Sequence, residues 1–165
     1  MSTIRTPFGL SRRIALLAGG AALVFGTAAQ AASPAVNTLK SGLFGGRTDT
    51  AINGYDTVAY FSVGKPVKGQ DSFVTEWMGA KWKFSSQANL DLFKADPEKY
   101  APQYGGYCAY GVAKDGLVKV EPDQFTVRNG KLYLNFDADV QALWLKDPDG
   151  FIKQADAKFP ALLKQ

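Results

Sequence analysis

The 165 residues carry 19 basic and 15 acidic side chains, one cysteine and no histidine, and are 46% hydrophobic and 13% aromatic. That length and apolar content suit one domain with a real core. Without histidine there is no His-based acid–base catalysis, no His-dependent triad and no His metal site, and a lone cysteine forms no internal disulfide.

Residues 1–31 read as an export signal. Arg12 and Arg13 precede an apolar run over residues 14–29, which ends in Ala29-Gln30-Ala31, small residues two apart. A spanning helix needs about 20 mostly apolar residues. This run is shorter and is diluted by Gly19, Gly20, Gly26 and Thr27, so cleavage after Ala31 is expected, with no stable membrane span left behind. Ser11, Arg12, Arg13 and Leu16 resemble a twin-arginine translocation signal, while Ala15 and Leu17 depart from its Phe and Lys positions. The general secretory route stays open. A periplasmic or otherwise exported location follows, with the export machinery as a partner. Arg5, Arg12 and Arg13 lie in the signal and no acid does, leaving 16 basic against 15 acidic residues. The sequence pI of about 9.1 is therefore mostly the signal's, and nucleic acid is not an expected partner.

Residues 32–51, rich in Ser, Gly, Asn and Thr, read as a flexible lead-in, and residues 52–163 as one domain. Val58–Ser62 is an apolar strand candidate. Phe73, Thr75 and Trp77 alternate, as do Trp82 and Phe84, and Met78-Gly79 between them predicts a hairpin. Ser85 or Ser86 caps a helix from about Gln87 to Ala95, and Asp96-Pro97 starts a short helical turn. Asn129-Gly130 predicts a second hairpin, because both turn residues must take positive φ. Asp137 and Asp147-Pro148 open the last two helices. No repeat or low-complexity tract is evident. The sum is an α+β fold, a small antiparallel sheet packed by several short helices.

The segment Gly54-Tyr55-Asp56-Thr57-Val58-Ala59-Tyr60-Phe61, followed by Trp82-Lys83-Phe84-Ser85-Ser86, Phe93 and Asp96-Pro97-Glu98-Lys99-Tyr100, resembles the YHS domain family. Tyr104-Gly105-Gly106-Tyr107-Cys108-Ala109-Tyr110, the 130–136 segment, Trp144 and Asp147 resemble its extended, exported branch. The resemblance covers about residues 52–160. Short members of the family often carry metal-binding cysteines, and the resemblance implies that those positions are Ala59, Ser85 and Asn89 here. Alanine has no lone pair, and Ser and Asn oxygens are poor substitutes for thiolate, so the resemblance does not imply the usual metal site here.

Cys108 is the one soft nucleophile, set beside Gly105 and Gly106. It reads either as a ligand to a metal ion or haem iron, as a reactive thiol, or as a small buried apolar residue. Tyr55, Asp56, Tyr104, Tyr107 and Tyr110 gather phenols and a carboxylate around it in sequence. They read as a ligand pocket or as packing, with Asp56 also a turn cap. Trp77, Trp82 and Trp144 read as core. The first functional reading is an exported binding module holding a metal ion or small ligand near Cys108. The alternatives are a thiol-redox or other small enzyme using Cys108, and a non-catalytic structural or interaction domain.

Overall fold

The computed structural model describes residues 33–40 and 46–165, so the export signal read at residues 1–31 lies outside the described residues. No helix among the described residues is long and apolar enough to cross a membrane.

The fold is α+β. After a tight turn at Ala51–Gly54 come α1 (Ala59–Ser62), the hairpin β1 (Gln70–Trp77) and β2 (Ala80–Phe84), then α2 (Gln87–Ala95) and α3 (Pro97–Tyr100). A second tight turn at Gln103–Gly106 leads into α4 (Ala109–Ala113). The hairpin β3 (Phe125–Arg128) and β4 (Lys131–Leu134) follows, then α5 (Ala138–Trp144) and α6 (Pro148–Leu162). The strands form two separate two-stranded antiparallel sheets.

The caps explain the helix starts. Ser86 accepts a hydrogen bond from the Asn89 N–H, Asp96 from Lys99, Asp137 from Val140 and Asp147 from Gly150. Pro97 and Pro148 each occupy the first helical turn, where no N–H is needed. Both hairpin turns use the left-handed region, at Met78 and Gly79 and at Asn129 and Gly130.

Val58–Ser62, expected as a strand, is instead the start and body of α1. The Asp56 carboxylate takes the Val58 and Ala59 N–H groups, and that local cap overrides the apolar run's preference for extension. Of the expected lead-in, residues 33–40 and 46–51 are described. Val36, Asn37 and Thr38 are buried, Leu39 pairs with Arg47, and Asn37 N–H donates to Gly105 O at 2.9 Å. Residues 33–40 form a strap laid across the second tight turn.

The element order repeats, although no repeat is evident in the sequence. Each half runs left-handed turn, tyrosine, short helix, hairpin with a left-handed turn, capped helix, and Asp-Pro helix. The matching extends to hydrogen bonds. Asp56 N–H donates to Val67 O in the first unit, and Cys108 N–H to Val118 O in the second. One core cluster is built largely on the first unit around Trp82, Phe84 and Phe93. The other gathers Tyr104, Tyr107, Tyr133 and Trp144 of the second. Rings in the first cluster meet at 4.9–5.7 Å, so aromatic edge and stacking contacts add to simple burial.

Candidate functional site

Asp56 is fully buried, and protein donors occupy its carboxylate. One oxygen accepts from the Val58 and Ala59 N–H groups at 2.9 and 3.2 Å. The other accepts from the Ser85 N–H at 2.8 Å, the Ser85 hydroxyl at 2.6 Å and the Asn89 amide at 2.7 Å. This one charge ties the start of α1 to the end of β2 and the start of α2. Burying a carboxylate is costly unless it is hydrogen-bonded in this way. Asp56 is a cap and a cross-link, and it offers no free oxygen to a ligand.

Cys108 stands at the matching place in the second unit. Its sulfur caps α4 by accepting from the Gly111 N–H at 3.3 Å, and its thiol donates to Asn135 Oδ1 at 3.7 Å. Asn135 follows β4 as Ser85 follows β2. Burial pushes the Cys108 thiol above its ordinary value, against smaller opposing contributions from backbone N–H groups. The sulfur is therefore held as a protonated, 1% exposed thiol. Folded protein should resist thiol alkylation and react only on unfolding, which a labelling time course checks. The sign of the shift also predicts a pH effect. The contribution is intact below the ordinary thiol pKa and is lost as pH rises through the folded value, so stability should fall on the alkaline side. Cys108→Ala should remove that component of the pH profile and cost about 1–2 kcal/mol for a lost cap and a small cavity.

The phenols expected around Cys108 are dispersed. Tyr104 donates to Asp156 on α6 at 2.9 Å, and burial raises its pKa. Tyr107 donates to Pro34 O at 3.0 Å and receives Arg47 at 3.3 Å. Tyr110 packs edge-on against Phe151, with ring centres 5.0 Å apart. Tyr104 and Tyr110 tie the start of the second unit to its last helix, α6, and Tyr107 ties it to the strap.

Tyr55 is placed differently. It lines an open cleft of about 680 Å³ with Lys40, Thr48, Thr50, Asn53, Gly54, Lys68 and Gln70, among others. Asp56, Tyr104, Tyr107, Cys108 and Tyr110 do not line it. The Lys68 ammonium lies 4.4 Å from the centre of the Tyr55 ring and donates to Asn53 O. Burial, and then the Lys83 ammonium, hold Lys68 below the ordinary lysine value. The cleft wall also carries backbone strain. Ile52, Asn53 and Gly54 all have positive φ, at 47°, 53° and 73°. A β-branched residue rarely adopts this region, and such strain concentrates at binding sites. The Asn53-Gly54 dipeptide was a readable sign of that turn. Lys68 and Gln70 carried no sequence signal, because they reach Tyr55 only through the path of the chain into β1.

Residues 58–104 match the family model described as YHS domain. This segment is a YHS domain. No curated protein and no solved structure matches the chain. The YHS segment takes in α1, the first hairpin, α2 and α3, and ends at Tyr104 in the second turn. Ala59, Ser85 and Asn89, where the resemblance implies metal-binding cysteines, ring the Asp56 carboxylate through the hydrogen bonds above. That donor set does not fit a zinc or copper(I) site. It has no thiolate, and the carboxylate is occupied by N–H and O–H donors. Among the described residues no three His, Cys, Asp or Glu side chains are grouped to hold a metal ion. In this YHS domain a hydrogen-bonded node fills the place the resemblance gives to metal ligands.

Proposed function

We propose that the chain is an exported, non-catalytic binding module whose ligand surface is the Tyr55 cleft. The observation that carries this is the cleft itself. It is large enough for a small ligand, walled by a strained left-handed turn, and lined by side chains with hydrogen-bonding capacity and both signs of charge. The burial of Cys108 favours binding over thiol chemistry, which needs an accessible thiolate. The test is an isotope-labelled amide titration against a panel of carboxylates, phosphates, amino acids and short peptides. Saturable shifts should cluster at residues 53–55 and 68–71 and vanish in Tyr55→Ala combined with Lys68→Ala, with the rest of the spectrum unchanged. Responses centred on Cys108, or none from any probe, would overturn the reading.

Export through the twin-arginine route is part of this proposal, supported by Ser11-Arg12-Arg13 before an apolar run. Changing Arg12 and Arg13 together to Lys should leave the precursor unprocessed inside the cell. Unimpaired export of that variant would assign the chain to the general secretory route.

A further inference from the structure

We infer that the Tyr55 cleft takes a small monocarboxylate, with its anionic end held by the Lys68 ammonium beside the Tyr55 ring. This rests on the reading of the cleft as the binding surface. The path of the chain fixes those two side chains together. Asp56 N–H donates to Val67 O and Gly69 N–H to Gly54 O, both at 2.9 Å, and Tyr55 pairs with Lys68 in a short antiparallel bridge. Residues paired in this way send their side chains to the same face. The Lys68 ammonium accordingly lies 4.4 Å from the centre of the Tyr55 ring. Ile52 N–H donates to Asn37 O of the strap at 3.2 Å, so the turn before Tyr55 is anchored on that side as well.

Gly69 brings a second cation to the same wall. A Cβ there would lie 2.5 Å from the Lys83 carbonyl carbon, so the missing side chain lets the chain before β1 lie directly on β2. Lys83 thereby joins Lys68 in lining the cleft. Lys83 is paired with Asp71, yet its charge still adds to burial in holding Lys68 below the ordinary lysine value.

Lys68 is the cation left to a ligand. An ammonium has three N–H groups to place. Asn53 O accepts from Lys68 and the Tyr55 ring takes one side of it, and among the described residues no carboxylate pairs with it. The ion pairs at the cleft go elsewhere, Lys83 to Asp71 and Lys119 to Glu121. A carboxylate entering the cleft therefore meets an ammonium whose position is set before binding, with the Tyr55 hydroxyl as a further donor on that wall. The lining also limits the ligand's charge. Lys40, Lys68 and Lys83 are matched in number by Asp71, Glu121 and Asp123. A dianionic phosphate would leave its second charge unmatched, whereas a monocarboxylate needs only Lys68. Thr48, Thr50 and Gln70 offer hydroxyl and amide groups to a polar body attached to the acid.

The test titrates propionate and its uncharged isostere propionamide into the isotope-labelled mature chain, with ionic strength held constant by sodium chloride. An acid this small is expected to bind in the millimolar range. Saturable amide shifts at residues 53–55 and 68–71 are expected from propionate and none from propionamide. Lys68→Met keeps the stem and removes the ammonium, so it should weaken propionate binding about tenfold, and Lys68→Arg should restore most of it. An equal response to propionamide, propionate binding unchanged in Lys68→Met, or tighter binding of phosphate at the same residues would overturn the inference. So would a cleft that responds to amines or peptides but not to propionate, an outcome that leaves the cleft as the binding surface. No response to any probe would overturn both.

Discussion

Asp56→Ala should lower stability by about 3–5 kcal/mol, the scale seen when one partner of a buried charged network is removed. The five groups that donate to the carboxylate explain the size of the effect. Removing the acceptor leaves buried N–H and O–H groups unpaired, each costing about 1–3 kcal/mol if water cannot reach it. Asp56→Asn should be nearly as damaging despite equal size. Whichever oxygen the amide nitrogen replaces, an N–H then faces N–H or O–H donors. Urea unfolding of both variants measures this, with Cys108→Ala as the comparison. If Asp56→Asn unfolds at the same urea concentration as the parent, the carboxylate is not the cross-link described here.

The local elements were legible in the sequence because their signals are local. Ser86, Asp96, Asp137 and Asp147 are capping residues at the helix starts, and Asn129-Gly130 makes the hairpin its side chains permit. Val58–Ser62 misled because the deciding interaction is Asp56 turning back onto Val58 and Ala59. The strap was missed because composition does not record that Asn37 meets the Gly105 and Gly106 carbonyls from far along the chain. The repeat was hidden for a related reason. The two units keep caps, turns and hydrogen-bond paths but exchange residue types, as where Asp56 with Ser85 becomes Cys108 with Asn135. Cys108 drew attention by its chemistry, whereas its place in the second unit makes it a counterpart of a capping aspartate. Tyr55 is placed beside residues it cannot be matched with by sequence, since the other groups of the cleft come from the chain leading into β1, from the strap and from the segment before the first turn.

Gly54→Ala and Gly105→Ala should differ sharply even though their φ angles, 73° and 60°, are similar. Backbone strain alone costs a non-glycine residue about 1–2 kcal/mol in this region, and both variants incur it. At Gly54 little more is expected, since the new methyl meets its neighbours at 3.5 Å. At Gly105 the methyl would overlap Ala35 O and approach Val36 Cα, both part of the packed strap. Those are backbone atoms and cannot rotate aside. The strap must therefore leave the turn, losing the Asn37 hydrogen bonds and the burial of Val36, so the total should reach about 3–5 kcal/mol. Release should be visible apart from global stability, as loss of hydrogen-exchange protection at the Asn37 N–H and new proteolytic cleavage within residues 33–40. Equal losses in the two variants, with the strap still protected, would show that the second turn does not depend on the segment laid over it.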